Sequence, residues 1–176
     1  MTAPAFPDMA NIKKRLLIED DIVAAVSSLT AGSDDPRILI SISRSLLASS
    51  SVVEDLKEQL HGQIIGVVSV LTEHTPYDKV FELANEITSS KATHLLSIGG
   101  GSVIDGGKIA LLAANLQIRD AEALEELASS LGKTKDIATW PIQHIAVPTT
   151  LSGAEFTPIA GATSSITGRK TGFSHA

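Results

Sequence analysis

Residues 99–108, which read GGGSVIDGGK, place glycines, a hydroxyl, a carboxylate and an ammonium between an apolar run and a helical pattern. A glycine-rich turn from a strand into a helix presents backbone N–H groups, and the helix N-terminus adds partial positive charge. Because residues 99–101 permit close approach and positive φ, and Ser102 supplies a hydroxyl, the turn suits a phosphate or pyrophosphate. The alternative is a tight turn in which Gly106 and Gly107 only permit close packing.

Two standard phosphate-binding motifs do not fit this stretch. The dinucleotide fingerprint G-x-G-x-x-G, read from Gly99, requires a glycine where Ile104 stands. The P-loop pattern requires a glycine at Ser102 and a hydroxyl residue at Ile109. The residues alone therefore favour phosphate binding and leave the close-packing alternative open.

The pattern around the turn predicts alternating strands and helices. Apolar or β-branched runs predict strands over residues 37–43, 64–71 (a buried strand), 93–99 and 142–148, and apolar residues at helical spacing predict helices over 45–60, 77–90, 102–115 and 121–131. This alternation is typical of the α/β class, a Rossmann-like doubly wound parallel sheet with helices on both faces. Residues 131–141 predict a loop, and the Gly-, Ser- and Thr-rich residues after Pro148 predict loops and a β-hairpin.

Composition limits the class of protein. The 176 residues carry a formal net charge of −6 and include no cysteine. The acidic balance argues against nucleic acid or a membrane surface as the partner, and the lack of cysteine excludes disulfides, thiolate metal sites and a cysteine nucleophile. No apolar run approaches the roughly 20 residues that span a bilayer, and no secretory signal is recognisable. We expect a cytoplasmic protein with one domain over residues 1–176.

Two motifs carry a family resemblance. GGGSVIDGGK resembles the G-G-G-S-x-x-D-x-x-K signature of the iron-containing (group III) alcohol dehydrogenase superfamily, and IAVPTTLSGAEFTPIAGAT resembles its P-T-T…E-x-T loop. The second motif, the following GRKTG and the HTP at 74–76 look most like maleylacetate reductases, whereas SVIDGGK is closer to the alcohol dehydrogenase branch. The resemblance implies an N-terminal dinucleotide-binding domain for NAD(H) or NADP(H).

By matching motif positions, the resemblance also implies cofactor-binding residues. The glycine turn would hold the pyrophosphate, the Thr-rich loop would line the adenine side and ribose, and an acid in the next helix would help to place the nicotinamide half. These residues and two further candidates, a hairpin lysine and a loop histidine, are Gly99, Gly100, Gly101, Ser102, Asp105, Thr149, Thr150, Ser152, Lys170 and His74. The alternative for Asp105 is that it is an ordinary acidic residue in the first turn of a helix, where the helix dipole favours a carboxylate. Lys108 either reaches cofactor oxygens or lies on a solvated helix face.

Ser43 bears on the choice between NADH and NADPH. It ends the first predicted strand, where family members that prefer NAD often carry an aspartate that binds the ribose 2′-hydroxyl. A serine removes repulsion against a 2′-phosphate, Ser45 is a further donor, and Arg44 is able to pair with that phosphate. We therefore expect NADPH to be tolerated. The alternative is that Ser43 and Ser45 are only loop and N-cap residues.

The remaining polar residues suggest structural roles. His61, His94 and His144 show no metal-ligand spacing and are expected to be structural. Glu155 matches a family acid and is expected to be an internal hydrogen-bond anchor. The charges around Glu125 predict a solvated helix face.

The family's chemistry depends on a second, helical C-terminal domain. Its aspartate and histidines bind iron or zinc, which polarises the alcohol or carbonyl oxygen while hydride passes to or from the nicotinamide. The printed sequence contains no match to those ligands, so we expect that this chain does not bind the family metal. Three hypotheses follow: the cofactor half of an oxidoreductase acting on a carbonyl or alcohol, a nucleotide-binding or interaction module without turnover, or a repurposed non-redox enzyme. A homodimer is a further expectation.

Overall fold

The computed structural model describes residues 15–129 and 141–174. The described helices are α1 (Ile22–Thr30), α2 (Arg44–Ser49), α3 (Val52–Gln59), α4 (Tyr77–Ser90), α5 (Gly101–Leu116) and α6 (Ala121–Ser129). The described strands are β1 (Ile38–Ile42), β2 (Ile64–Val68), β3 (His94–Gly99), β4 (Gln143–Pro148), β5 (Ile159–Thr163) and β6 (Lys170–Ser174). The predicted alternation of strands and helices is therefore confirmed.

The first four strands form one parallel sheet in the order β2-β1-β3-β4. From β1 the chain crosses to β2 on one side, whereas β3 and β4 lie on the other side of β1. The order therefore reverses between β1 and β3. Their carboxyl ends are held together there, since Ser43 N donates to Ile98 O at 3.1 Å. In open α/β sheets such a reversal leaves a crevice in which ligands bind.

The sheet separates two apolar cores because alternate strand residues face opposite sides. Ile38, Ile40 and Ile42 of β1 belong to the core that contains residues of α1 and α3, whereas Leu39 belongs to the core that contains α4, α5 and α6. Helices therefore cover both faces, as predicted for a doubly wound sheet. No helix among the described residues is long and apolar enough to cross a membrane.

Helix α5 follows the glycine turn and is the most enclosed helix of the site. Ten of its residues, from Val103 to Ala113, are buried. Gly106 and Gly107 are part of the reason: a Cβ on Gly106 would lie 2.7 Å from Leu71 Cδ1, and one on Gly107 would lie 2.5 Å from Ser97 Oγ. The close-packing role proposed for these two glycines is confirmed, and it is separate from the role of the turn.

The region from 45 to 60 differs from its prediction. Two short helices replace one, because Ser50 is extended (φ −136°, ψ 154°) and its hydroxyl donates to Leu46 O at 2.8 Å. Ser51 then occupies the N-cap position of α3, and its hydroxyl donates to Asp55 Oδ2 at 2.9 Å. Serine side chains compete with the helix backbone for hydrogen bonds, which breaks the helix here.

Two other differences concern the boundaries of the fold. Helix α1 was not predicted, although Asp21 caps it by accepting from Val23 N at 2.8 Å. Strand β2 ends at Val68 and is half-buried rather than buried, because it is an edge strand. The predicted loop over 131–141 lies almost wholly outside the described residues. The predicted hairpin is confirmed as the antiparallel pair β5–β6.

Candidate functional site

A cleft of about 810 Å³ opens at the carboxyl edge of the sheet, between the start of α5 and the hairpin. Its lining combines backbone of the glycine turn, the Thr-rich loop and both hairpin strands. Of the predicted site residues, the lining includes Gly101, Ser102, Asp105, Ser152 and Lys170. The structure therefore brings together residues that lie up to 69 positions apart in the sequence, from Gly101 to Lys170.

The glycine turn is shaped by close contacts. An added Cβ would lie 2.7 Å from Val103 Cγ2 at Gly99, 3.2 Å from Thr150 Cγ2 at Gly100 and 3.0 Å from Ser152 Oγ at Gly101. The positive φ expected for this turn is wrong. The left-handed glycines of the described chain are Gly62, Gly153 and Gly168, and Gly100 has φ −76°. Small size, not backbone freedom, is what the turn requires.

Gly100 also occupies the N-cap position of α5, where no side-chain capping bond is made. The first turn of an α-helix leaves backbone N–H groups without intrahelical acceptors, and the helix dipole concentrates positive charge there. With no capping side chain, this end of α5 presents its N–H groups beside Ser102 at the cleft. The arrangement suits an anionic group.

Asp105 and Lys108, one turn apart on α5, both hold the segment that follows β4. Asp105 Oδ2 accepts from Gly161 N at 3.0 Å. Lys108 Nζ donates to the carbonyl oxygens of Ala154, Thr157 and Ile159 at 2.6, 2.7 and 3.0 Å. Lys108 is only 6% exposed, so the solvated helix face considered for it is wrong.

Lys170 begins β6 and lies across Gly161 of the neighbouring strand. A Cβ on Gly161 would lie 2.5 Å from Lys170 Cε and 3.3 Å from its Nζ. The lysine stem thus occupies the space that a side chain would take, and both residues line the cleft. Lys170 and the uncapped helix end thus line the same cleft.

The remaining predicted residues lie along the same edge of the sheet. Thr149 N donates to Gly99 O at 3.0 Å, and the Thr150 side chain faces Gly100. Ser43 occupies the N-cap position of α2 without a side-chain capping bond, and its hydroxyl lies 3.5 Å from Ser45 Oγ. These three residues surround the glycine turn rather than line the cleft.

The loop before α4 contributes a residue that the sequence did not suggest. His74 is exposed and is absent from the cleft lining, whereas the neighbouring Thr75 is 1% exposed and lines the cleft. Both have positive φ, 63° and 51°, which is unusual for a β-branched residue such as threonine. Thr75 Oγ1 donates to Ser102 O at 3.0 Å, so the strained turn is tied to the start of α5.

The internal histidines have structural partners. His94 Nδ1 lies 2.8 Å from Thr93 Oγ1, and His144 Nε2 lies 2.9 Å from Ser97 Oγ. Burial lowers the pKa of His94. Burial, with the nearby positive charge of Lys108, lowers the pKa of His144 to about 4. The structural roles expected for these two histidines are confirmed.

Two acids behave differently from expectation. Glu125 accepts from the hydroxyl of the fully buried Tyr77 at 2.7 Å, so α6 uses this acid for packing and not only for solvation. Burial, with Glu125 nearby, raises the pKa of Tyr77 to about 12. Within the described residues, Glu155 Oε2 is buried without a hydrogen-bond partner. The anchor of this loop is Lys108 instead.

A family model described as iron-containing alcohol dehydrogenase matches residues 13–176. The chain belongs to the iron-containing alcohol dehydrogenase family. Among its relatives, the dehydrogenase FUM7 of Gibberella moniliformis is 43% identical over 134 residues, which cover 72% of this chain and 31% of that protein. The chain thus spans about a third of the length of this relative.

Solved structures show the same fold. Maleylacetate reductase from Agrobacterium tumefaciens is 24% identical with a TM-score of 0.61, over 86% of this chain and 35% of that one. Sulfoacetaldehyde reductase from Bifidobacterium kashiwanohense, in complex with NAD+, is 19% identical with a TM-score of 0.71, over 86% of this chain and 39% of that one. At these sequence identities, the structural likeness shows only that this member of the iron-containing alcohol dehydrogenase family shares their fold.

Proposed function

We propose that this chain is the NAD(P)H-binding half of an oxidoreductase that transfers hydride between a nicotinamide and a carbonyl or alcohol. The observation that carries the proposal is the position of the uncapped start of α5. It lies at the sheet's point of strand-order reversal, and its first residues, Gly101 and Ser102, line the same cleft as Lys170. Backbone N–H groups and an ammonium around one cleft suit a pyrophosphate-containing ligand.

The residues present fit such a dinucleotide. Residues 99–101 of the turn carry no side chains of their own, and Ser102 and Ser152 line the cleft beside it. In this proposal the pyrophosphate contacts are made by Gly99, Gly100, Gly101 and Ser102. Thr149 and Thr150 contact the adenine side, with Ser152 nearby, and Lys170 contacts cofactor oxygens. Asp105 is held by Gly161 N, and its carboxylate lies on the side proposed for the nicotinamide half.

Ser43 and His74 have outer positions in the same proposal. Ser43 lies beside the glycine turn and carries no charge that would repel a 2′-phosphate, and Arg44 is the next residue along. His74 is exposed and does not line the cleft, whereas its neighbour Thr75 does. NADPH is therefore expected to be tolerated in place of NADH.

The names of the relatives support redox chemistry on carbonyl or alcohol groups. FUM7 is a dehydrogenase, and the two solved neighbours are reductases of maleylacetate and sulfoacetaldehyde. Because the chain covers about a third of each, the substrate and the complete reaction are proposals for the protein as a whole. The nicotinamide, when bound, supplies or accepts the hydride. This chain's own residues bind and orient it.

The family metal does not fit the described residues. Within residues 15–129 and 141–174 no group of three His, Asp or Glu side chains is placed to hold a metal ion. The role proposed for these residues therefore does not involve a metal ion. In the proposal these residues provide the cofactor site, and they are given no part in polarising the substrate oxygen.

Titration with NADH and NADPH, followed by nicotinamide fluorescence, tests the proposal. We expect saturable binding that ADP-ribose displaces, because the proposed contacts are to the pyrophosphate and ribose. Binding that ADP-ribose fails to displace would contradict this site. Turnover assays with small aldehydes and keto acids then separate the oxidoreductase from a nucleotide-binding module, which would bind NADH without oxidising it.

A further inference from the structure

We propose that Lys108 is a positioning residue, which holds one wall of the cleft in its ligand-binding shape without contacting the ligand. The proposal rests on the proposed dinucleotide site. The wall in question is the segment 152–161, from Ser152 to the middle of β5. Lys108 belongs to the signature that resembles the family motif, where either cofactor contact or solvent exposure was considered for it.

The contacts of the ammonium identify what it holds. A lysine ammonium has three N–H donors. Lys108 Nζ lies within 3.0 Å of three backbone carbonyl oxygens, at Ala154, Thr157 and Ile159. These carbonyls belong to the first residue of the short 3-10 turn Ala154–Phe156, to Thr157 directly after it, and to the first residue of β5. The Thr157 hydroxyl also donates to Ala154 O at 3.4 Å and to Ile159 O at 3.1 Å, within the segment. The Lys108 ammonium is what ties all three carbonyls to α5.

Apolar packing does not replace these bonds. Phe156 is 63% exposed and Ile159 is 59% exposed, so the large apolar side chains of the segment contribute little burial. Gly153 has a left-handed φ of 70°, which gives the segment a sharp turn at its start. The bond from Gly161 N to Asp105 Oδ2, on the same helix, is the other side-chain tie at the far end of the segment.

The same helix carries both sides of the cleft. Its first residues, Gly101 and Ser102, line one side, and Lys108 fixes Ala154, Thr157 and Ile159, which line the other. The distance between the anion-binding turn and the wall is thus set by one rigid helix. When a binding-competent arrangement is only partly populated, apparent affinity falls by that fraction. Loss of the ammonium is therefore expected to weaken dinucleotide binding even though Lys108 is buried behind the wall.

The lack of cysteine allows a specific test. In a Lys108→Cys variant the only thiol is at position 108. The variant is unfolded in urea, alkylated with 2-bromoethylamine, which restores an ammonium at nearly the length of lysine, and refolded. A second sample receives iodoacetamide, which adds a neutral group. Wild type taken through the same cycle and Lys79→Cys, at an exposed lysine paired with Glu82, are the controls.

We expect the neutral product to bind NADH at least tenfold more weakly than wild type, and the aminoethylated product to come within about threefold of wild type. Hydrogen exchange of the amides of 152–161 should be faster in the neutral product than in the restored one, with β3 unchanged. Equal affinity of the two products, or equal exchange in 152–161, would overturn the proposal.

Two further readings keep the result decisive. If neither product refolds, Lys108→Met, which keeps an unbranched apolar stem, is tested for exchange of 152–161, and unchanged exchange there overturns the proposal. If wild type binds neither NADH nor NADPH, the proposed function fails. The role of Lys108 is then read from exchange alone, where faster exchange in the neutral product supports the wall-holding contact and no difference overturns it.

Discussion

The stem of Lys170 lies over Gly161, so that a methyl group at Gly161 would come within 2.5 Å of Lys170 Cε. The contact is with the far end of a flexible side chain, which moves at little cost. A Gly161→Ala variant should therefore fold normally, while its new methyl group displaces the ammonium from the cleft.

This displacement predicts weaker dinucleotide binding. Gly161→Ala should lose about tenfold in NADH affinity, which is about 1.4 kcal/mol, with little change in the free energy of unfolding. Lys170→Met should lose a similar amount, and the double variant should lose little more, because both changes remove one contact. Fluorescence titration measures all three. Additive losses in the double variant would show that the methyl group acts on something other than Lys170.

Ser43 predicts the cofactor preference. With no acid beside the turn, NADPH should bind within about tenfold of NADH, a difference of at most about 1.4 kcal/mol. Ser43→Asp should shift preference toward NADH, because its carboxylate repels the 2′-phosphate. The main-chain bond from Ser43 N to Ile98 O does not depend on the side chain, so the fold should be kept. Wild type that binds NADH but ignores NADPH would show that Ser43 does not set the preference.

His144 predicts a loss of stability in acid. Its pKa is about 4 in the folded chain and about 6.5 when unfolded, so between these values the unfolded chain binds more protons. The stabilising term is fully present above pH 6.5 and falls as the pH drops toward 4. Between pH 7.5 and 4.5 the expected loss from this residue is about 2 kcal/mol.

Urea unfolding of wild type and His144→Gln at pH 7.5 and 4.5 measures this term. The variant should lose less stability on acidification than wild type. The pH dependence of stability that remains in the variant should include a contribution from His94, because burial also lowers the pKa of that residue. The same pH dependence in both proteins would contradict the assignment.

The sequence was sufficient for the parts of the site that depend on local pattern. The glycine turn, its strand and helix, and the hairpin each follow from local pattern, whereas Lys170 was suggested by the family resemblance of its motif. The sequence was not sufficient for contacts that only the fold creates. Lys108 bonds to carbonyls 46 to 51 residues away, and those carbonyls belong to residues whose side chains give no signal.

The same reasoning explains the errors on Glu125 and the turn. Glu125 meets Tyr77 across 48 residues, and its helix still has the amphipathic pattern of a solvated surface. The glycines of the turn pose a different difficulty. The sequence shows that a small residue stands at each position, but it does not show whether backbone conformation or close contact requires a glycine there. Contact with Val103, Thr150 and Ser152 is the reason.

The most direct test of the central claim is dinucleotide titration of Gly100→Val. A Cβ at Gly100 would lie 3.2 Å from Thr150 Cγ2, close enough to need only a small shift, so the variant should fold. The control is Gly32→Val, where an added Cβ has no neighbour within 4 Å. We predict that Gly100→Val loses at least tenfold in NADH and NADPH affinity while Gly32→Val binds like wild type. A folded Gly100→Val protein with unchanged affinity would contradict binding at the glycine turn.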